Sequence, residues 1–144
     1  MDMTNADITK VSGTFEVKLE PHSAYATGVG GMNLGRMTLD KAFIGELEGR
    51  SQGEMLSAMT AKKGSAGYVA IEQFVGKLCG KQGSFVLQHF GIMTDGQNRL
   101  HLEVIPNSGA GELTGLYGNM AITIENGQHF YEFSFSMAKE EEPM

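Results

Sequence analysis

The sequence predicts an all-β fold, an antiparallel closed β-barrel of about eight strands, and three observations carry that expectation. Apolar and polar residues alternate with period two along most of the chain, the pattern of a strand with one buried face. Turn signals such as Asp95-Gly96 and Asn126-Gly127 break the alternation at short intervals. After Val104-Ile105-Pro106-Asn107-Ser108-Gly109, glycines at 111, 115 and 118 interrupt a strand-like segment, and glycine in a strand marks a bulge, a bend or a close backbone approach. Strands bent in this way close on themselves, and a closed barrel has an interior where a small molecule can bind.

The elements follow in order. Val11, Phe15, Val17 and Leu19 alternate with Ser12, Thr14, Glu16 and Lys18, giving a first strand. Residues 20–35, with Gly28, Gly30, Gly31 and Gly35, read as a long loop that is either a lid or a disordered excursion. Met37, Leu39, Lys41 and Phe43 alternate with Thr38, Asp40 and Ala42, and a strand of small and Met residues spans 51–60. Tyr68 to Leu78 and Ser84 to Met93 are strands apolar on both faces. Shorter alternating runs cover 100–105, 120–125 and 129–135. No segment shows a helical period.

A barrel strand shows one face to the interior and the other to the outside. Two-sided apolarity over 68–78 and 84–93 therefore predicts subunits that cover the outer wall, a homo-oligomer.

Composition sets the class. With 144 residues, 41% hydrophobic, 20 Gly and only three Pro, the chain suits one domain with many tight turns. That domain is expected over 11–137, between disordered tails at 1–10 and 138–144, the second carrying Glu140, Glu141 and Glu142. A net charge of -6 argues against nucleic acid and anionic membrane as partners, because both require basic patches. The single cysteine, Cys79, allows no intrachain disulfide and no Cys-based zinc site. Its loneliness, a polar acidic N-terminus and the lack of a long apolar run lead to the expectation of a soluble cytoplasmic protein.

Motifs for chemistry are sparse. Gly49-Arg50-Ser51-Gln52-Gly53 has the G-x-S-x-G form of a nucleophile elbow but lies between strand-like runs with no helix behind it. Gly109-Ala110-Gly111 lacks the helix that would carry a dinucleotide phosphate. His22, His89, His101 and His129 show no paired spacing, so no metal and no cofactor is expected. The informative residues are polar groups set in apolar strands, where burial is costly unless the group is paired or used. Glu72 lies in Tyr68-Val69-Ala70-Ile71-Glu72-Gln73-Phe74, and Gln88-His89 lies in a similar run, of which parity turns one inward and one outward. With Glu112, Tyr131 and Glu54 they form the candidate barrel lining.

Gly13-Thr14-Phe15-Glu16-Val17, Phe43-Ile44-Gly45-Glu46-Leu47-Glu48-Gly49 and Gly53-Glu54-Met55-Leu56 resemble a bacterial domain family of unknown function. Tyr68-Val69-Ala70-Ile71-Glu72, Gly83-Ser84-Phe85-Val86-Leu87-Gln88-His89 and Ser108-Gly109-Ala110-Gly111-Glu112-Leu113 continue the likeness, which spans about 11–137. The resemblance implies the allene oxide cyclase barrel fold, eight antiparallel strands shared with plant allene oxide cyclases and dirigent proteins. Residues 108–118 resemble the glycine-rich segment of those plant families, and Gly49-Arg50-Ser51-Gln52-Gly53 resembles a dirigent strand, a non-catalytic account of the elbow pattern. The relatives imply an oligomer whose barrel accepts hydrophobic small molecules without a cofactor. The cyclase's active-site Glu and Cys have no matched counterpart in Glu72, Glu54 or Cys79, so the likeness implies fold rather than activity.

Three functions compete. The first is an oligomeric barrel that binds a small apolar molecule. The second is a cofactor-free isomerase or cyclase with Glu72 or Glu112 as general acid/base. The third is a structural barrel with a filled core.

Overall fold

The computed structural model describes residues 7–138. Nine strands make one antiparallel sheet: β1 (Thr9–His22), β2 (Asn33–Gly45), β3 (Leu47–Met59), β4 (Ala66–Leu78), β5 (Lys81–Thr94), β6 (Gln97–Val104), β7 (Ala110–Gly111), β8 (Leu116–Glu125) and β9 (Gln128–Met137). Each long strand pairs with the next, and β9 returns to β1, so eight strands close an up-and-down barrel. β7 is a two-residue addition on the edge of β5, from Gly83↔Gly111 and Ser84↔Ala110. The eight-strand barrel predicted from period-two runs is what the chain forms, and the described residues contain no helix.

Two boundaries move. The loop expected over 20–35 narrows to 23–32, because β1 and β2 pair as far as His22↔Arg36. The predicted N-terminal tail ends earlier than residue 10, since Thr9 and Lys10 pair with Phe135 and Ser134. Residues 1–6 and 139–144 of the expected tails lie outside the described residues.

Register fixes which side chains share the interior. Odd residues of β1, β2, β3, β5 and β9 and even residues of β4, β6 and β8 face inward, and directly paired residues stay on one face. The middle and one end are filled. Phe15, Phe43, Phe74, Phe85 and Phe133 pack ring against ring at centroid separations of 5.0 to 5.8 Å. Leu47, Leu78, Leu113 and Leu116 complete this buried core. Leu113 comes from the 105–115 connection, in which Leu113 N–H bonds the Ala110 carbonyl at 3.2 Å. Tyr131 is fully buried near the same end: its hydroxyl accepts from Leu47 N–H at 3.1 Å and reaches the Leu47 and Ile44 carbonyls at 3.1 and 3.2 Å.

Candidate functional site

At the other end the same inward face is left open. Inward apolar side chains that are sealed in the middle give way to Leu19 at 47% exposure, Met59 at 58%, Leu100 at 37% and Ile124 at 62%. Within this rim lies a pocket of about 330 Å³, lined by Met55, Ser57, Met59, Tyr68, Gly91 and Met93 among others. The connections at this end include the 23–32 loop, the 60–65 hairpin and the turns at 95–96 and 126–127.

A chain of polar side chains runs inward from the pocket. Tyr68 Oη is 3.0 Å from His89 Nδ1, His89 Nε2 is 2.7 Å from Glu72 Oε2, and the same Oε2 accepts from Lys41 Nζ at 2.8 Å. Ser51 Oγ donates to Glu72 Oε1 at 2.7 Å. Glu72, His89, Lys41 and Ser51 are buried; Tyr68 is half-buried and forms the outer end. The Lys41 ammonium also stands 5.1 Å from the Phe15 ring centroid and 5.9 Å from that of Phe43. Register brings these groups together: Lys41 pairs with Ser51, and Ala70 with His89, one position along β4's inward face from Glu72.

Burial by itself pushes the Glu72 carboxyl up. The hydrogen bond from His89, the charge and hydrogen bond of Lys41 and the hydrogen bond of Ser51 outweigh it and hold the group at about 2. Tyr68 moves the other way, to about 12, because burial and then the Glu72 charge oppose a phenolate. At neutral pH the site therefore holds a fixed carboxylate and a neutral phenol.

Two glycines make room. A side chain at Gly53 would run into the Ile71 carbonyl and stand 2.6 Å from Glu72 Cα, so β3 approaches β4 closely at the glutamate. The Tyr68 ring lies over Gly91, with Cδ1 2.9 Å from where a Cβ at 91 would stand. Ser51, beside Gly53, has a structural partner in Glu72, which explains the G-x-S-x-G pattern without a nucleophile.

Of the candidate lining residues, Glu72 and His89 meet in this network. Tyr131 is interior but toward the closed end, bonded to backbone. The other three do not line the barrel. Gln88 has outward parity and is exposed. Glu54 also points outward, where it pairs with Arg36 at 2.6 Å. Glu112 sits on the connection between β6 and β8, and its carboxylate accepts from Gln82 N–H at 3.0 Å. A single-residue step reverses the face of a strand residue, and a loop residue has no parity at all. Cys79 lies in the β4–β5 turn, exposed, with burial and the Glu46 charge pushing its thiol up. Among the described residues no group of three or more His, Cys, Asp or Glu side chains is arranged to hold a metal ion.

A larger concavity, about 810 Å³, is elsewhere, on the outer wall of β3, β4 and β5 between Glu54, Leu56, Val69, Ile71, Gln88 and Phe90. It is a groove on the apolar outer face, and its lining also includes Gly53, Ala70 and His89, whose strand parity faces the interior.

The profile of the family described as "Protein of unknown function (DUF3224)" matches residues 11–135. The chain belongs to this family. A crystal structure of a DUF3224 protein of unknown function from Shewanella oneidensis MR-1 is 81% identical, covers 93% of this chain and all of its own, and superposes with a TM-score of 0.91. No curated protein matches the chain.

In this DUF3224 barrel the site's residues fall into two sets by how sequence reveals them. Glu72 and His89 stand out as polar residues in apolar runs. Lys41, Ser51 and Tyr68 do not. Lys41 carries a usable signal, a charged residue at the parity of Met37, Leu39 and Phe43, and Ser51 is marked only by the G-x-S-x-G pattern. Tyr68 resembles any strand aromatic until its ring is set over Gly91. Chemically, the network can hold the Tyr68 hydroxyl at the mouth against His89, whose ring Glu72 orients from behind.

Proposed function

We propose that this protein binds a small, mostly apolar molecule in the open end of its barrel and works as a homo-oligomer joined through the outer wall of β3, β4 and β5. The observation that carries the first part is the exposure gradient on the inward face, from sealed phenylalanines to half-exposed Leu19, Met59, Leu100 and Ile124. A purely structural barrel gains nothing from such an end, because exposed apolar surface costs free energy and invites aggregation. The pocket volume is near the lower end of the range for small-molecule sites. The resemblance to plant allene oxide cyclases and dirigent proteins supports the same reading, since their barrels accept hydrophobic small molecules. For the second part, Leu56, Val69, Ile71, Val75 and Phe90 are each about half exposed on one contiguous outward face, and an isologous contact would cover two such faces at once. Native mass spectrometry of gently purified protein, with titration of a fluorescent naphthalene probe, tests the binding. The expected result is uptake by the wild type and none by a folded Ser57→Trp variant, whose indole fills the mouth. No retained ligand and no uptake by the wild type would overturn the reading.

The Tyr68–His89–Glu72 chain favours a second reading, a cofactor-free isomerase or cyclase. Tyr68 would then meet the substrate, and Glu72, sealed behind His89, would steady the imidazole. Its mark would be a Tyr68→Phe variant that keeps binding and loses turnover.

A further inference from the structure

We propose that the mouth selects a neutral apolar alcohol and that the Tyr68 oxygen accepts the hydrogen bond from its hydroxyl. This rests on the reading of the mouth as a binding site and adds the chemistry of the ligand's polar end.

The argument starts from the buried end of the network. A carboxylate only accepts hydrogen bonds, and Glu72 Oε2 lies 2.7 Å from His89 Nε2, so that nitrogen carries a hydrogen. Lys41 already balances the Glu72 charge, and a second buried cation would be uncompensated. Charge balance within this cluster assigns the imidazole one hydrogen, on Nε2, which makes Nδ1 an acceptor. Among the described residues the only hydrogen-bond partner of Nδ1 is the Tyr68 hydroxyl, at 3.0 Å, which must spend its one hydrogen inward. Its lone pairs have no other partner among the described residues. The floor of the pocket thus presents an acceptor, whereas a tyrosine free of such a partner would offer either role.

The rest of the lining narrows the class. Met55, Met59, Met93, Ala66 and Gly91 are apolar, Ser57 and Asn98 are polar but uncharged, and no cationic side chain lines the pocket. Lys62 and Lys63, on the nearby hairpin, are exposed and lie outside the lining, Lys62 beside Asp95 at 3.1 Å. Carboxylates and phosphates find no counter-charge here. Tyr68 stays neutral well above physiological pH, so the acceptor is a polar oxygen and not an anion that would draw cations. A neutral apolar body with one hydroxyl is the chemistry that fits.

The test uses four probes of one shape on the full chain: 1-naphthalenemethanol, its methyl ether, 1-naphthoate and naphthalene. Calorimetric titration of the wild type should find the alcohol bound at least tenfold more tightly than the ether and the carboxylate. Tyr68→Phe should bind naphthalene as the wild type does and lose the preference for the alcohol. Equal binding of alcohol and ether, or tightest binding of naphthoate, would overturn the proposal while leaving the mouth as a binding site. No binding of any probe would overturn both. Nitrogen-15 NMR of the His89 ring in wild-type protein gives an answer independent of how the variant folds. Hydrogen on Nε2 alone is expected, and hydrogen on Nδ1 would overturn the proposal.

Discussion

Lys41 and Glu72 form an ion pair at 2.8 Å inside the barrel, with side chains only 6% and 0% exposed. Two strands that do not pair, β2 and β4, supply the charges across the interior, with β3 between them. A buried pair of this kind gains little over a well-packed apolar pair but is costly to break, because the surviving charge is left without compensation.

Lys41→Met should therefore destabilise the barrel by about 3–5 kcal/mol, and Lys41→Met combined with Glu72→Leu should recover much of the loss. Urea unfolding of the wild type, both single variants and the double variant measures the coupling. Additive losses would mean that the two charges do not interact.

The low pKa of Glu72 sets a stability change in acid. Its carboxyl lies at about 2 in the folded barrel against an ordinary 4.5. A depressed folded value means that the unfolded chain takes up the proton first as pH falls. The stabilisation is thus complete above pH 4.5 and disappears as the pH drops toward 2, by about 3 kcal/mol in all. The difference in unfolding free energy between wild type and Glu72→Gln should shrink across that interval. A difference that stays constant from pH 6 to pH 2 would contradict the ion pair.

Gly53→Ala should cost about 1–3 kcal/mol, because its methyl would press on the Ile71 carbonyl and on Glu72. The melting temperature reads the loss, and the same substitution at Gly96, where nothing stands within 4 Å, serves as a contrast limited to backbone strain at its φ of 80°. A Gly53→Ala protein as stable as the wild type would show that β3 and β4 lie farther apart at this point.

The outer wall gives a prediction of assembly. Ile71→Lys with Phe90→Lys places two charges on the face between β4 and β5 without touching the interior. Light scattering should find an oligomer for the wild type and a monomer for the variant, with unchanged far-ultraviolet circular dichroism. A monomeric wild type at micromolar concentration would remove the proposed interface.

Much of the barrel was legible in the sequence because strand periodicity is local. Val11 to Leu19, Met37 to Phe43 and His129 to Phe135 each declare a buried face within a few residues, and Asp95-Gly96 and Asn126-Gly127 declare their turns. Polar residues in apolar surroundings marked Glu72 and His89 for the same reason. The loop expected over 20–35 exceeds the 23–32 segment that connects β1 and β2, since Pro21 and Gly35 look like loop residues although they lie in those strands.

The sequence by itself determined the all-β class, the approximate strands and the fact that a carboxylate is buried in β4. Only the tertiary structure decided what that carboxylate touches. Lys41, Ser51, Tyr68 and His89 come from four strands, and their meeting depends on the register of each pairing around the closed sheet. Register is a property of two strands at once, and a slip of one residue would turn Lys41 or His89 outward, as parity turns Gln88 and Glu54. The same long-range closure seals one end with Leu113 and leaves the other open beside Tyr68, a contrast that no local pattern of residues encodes.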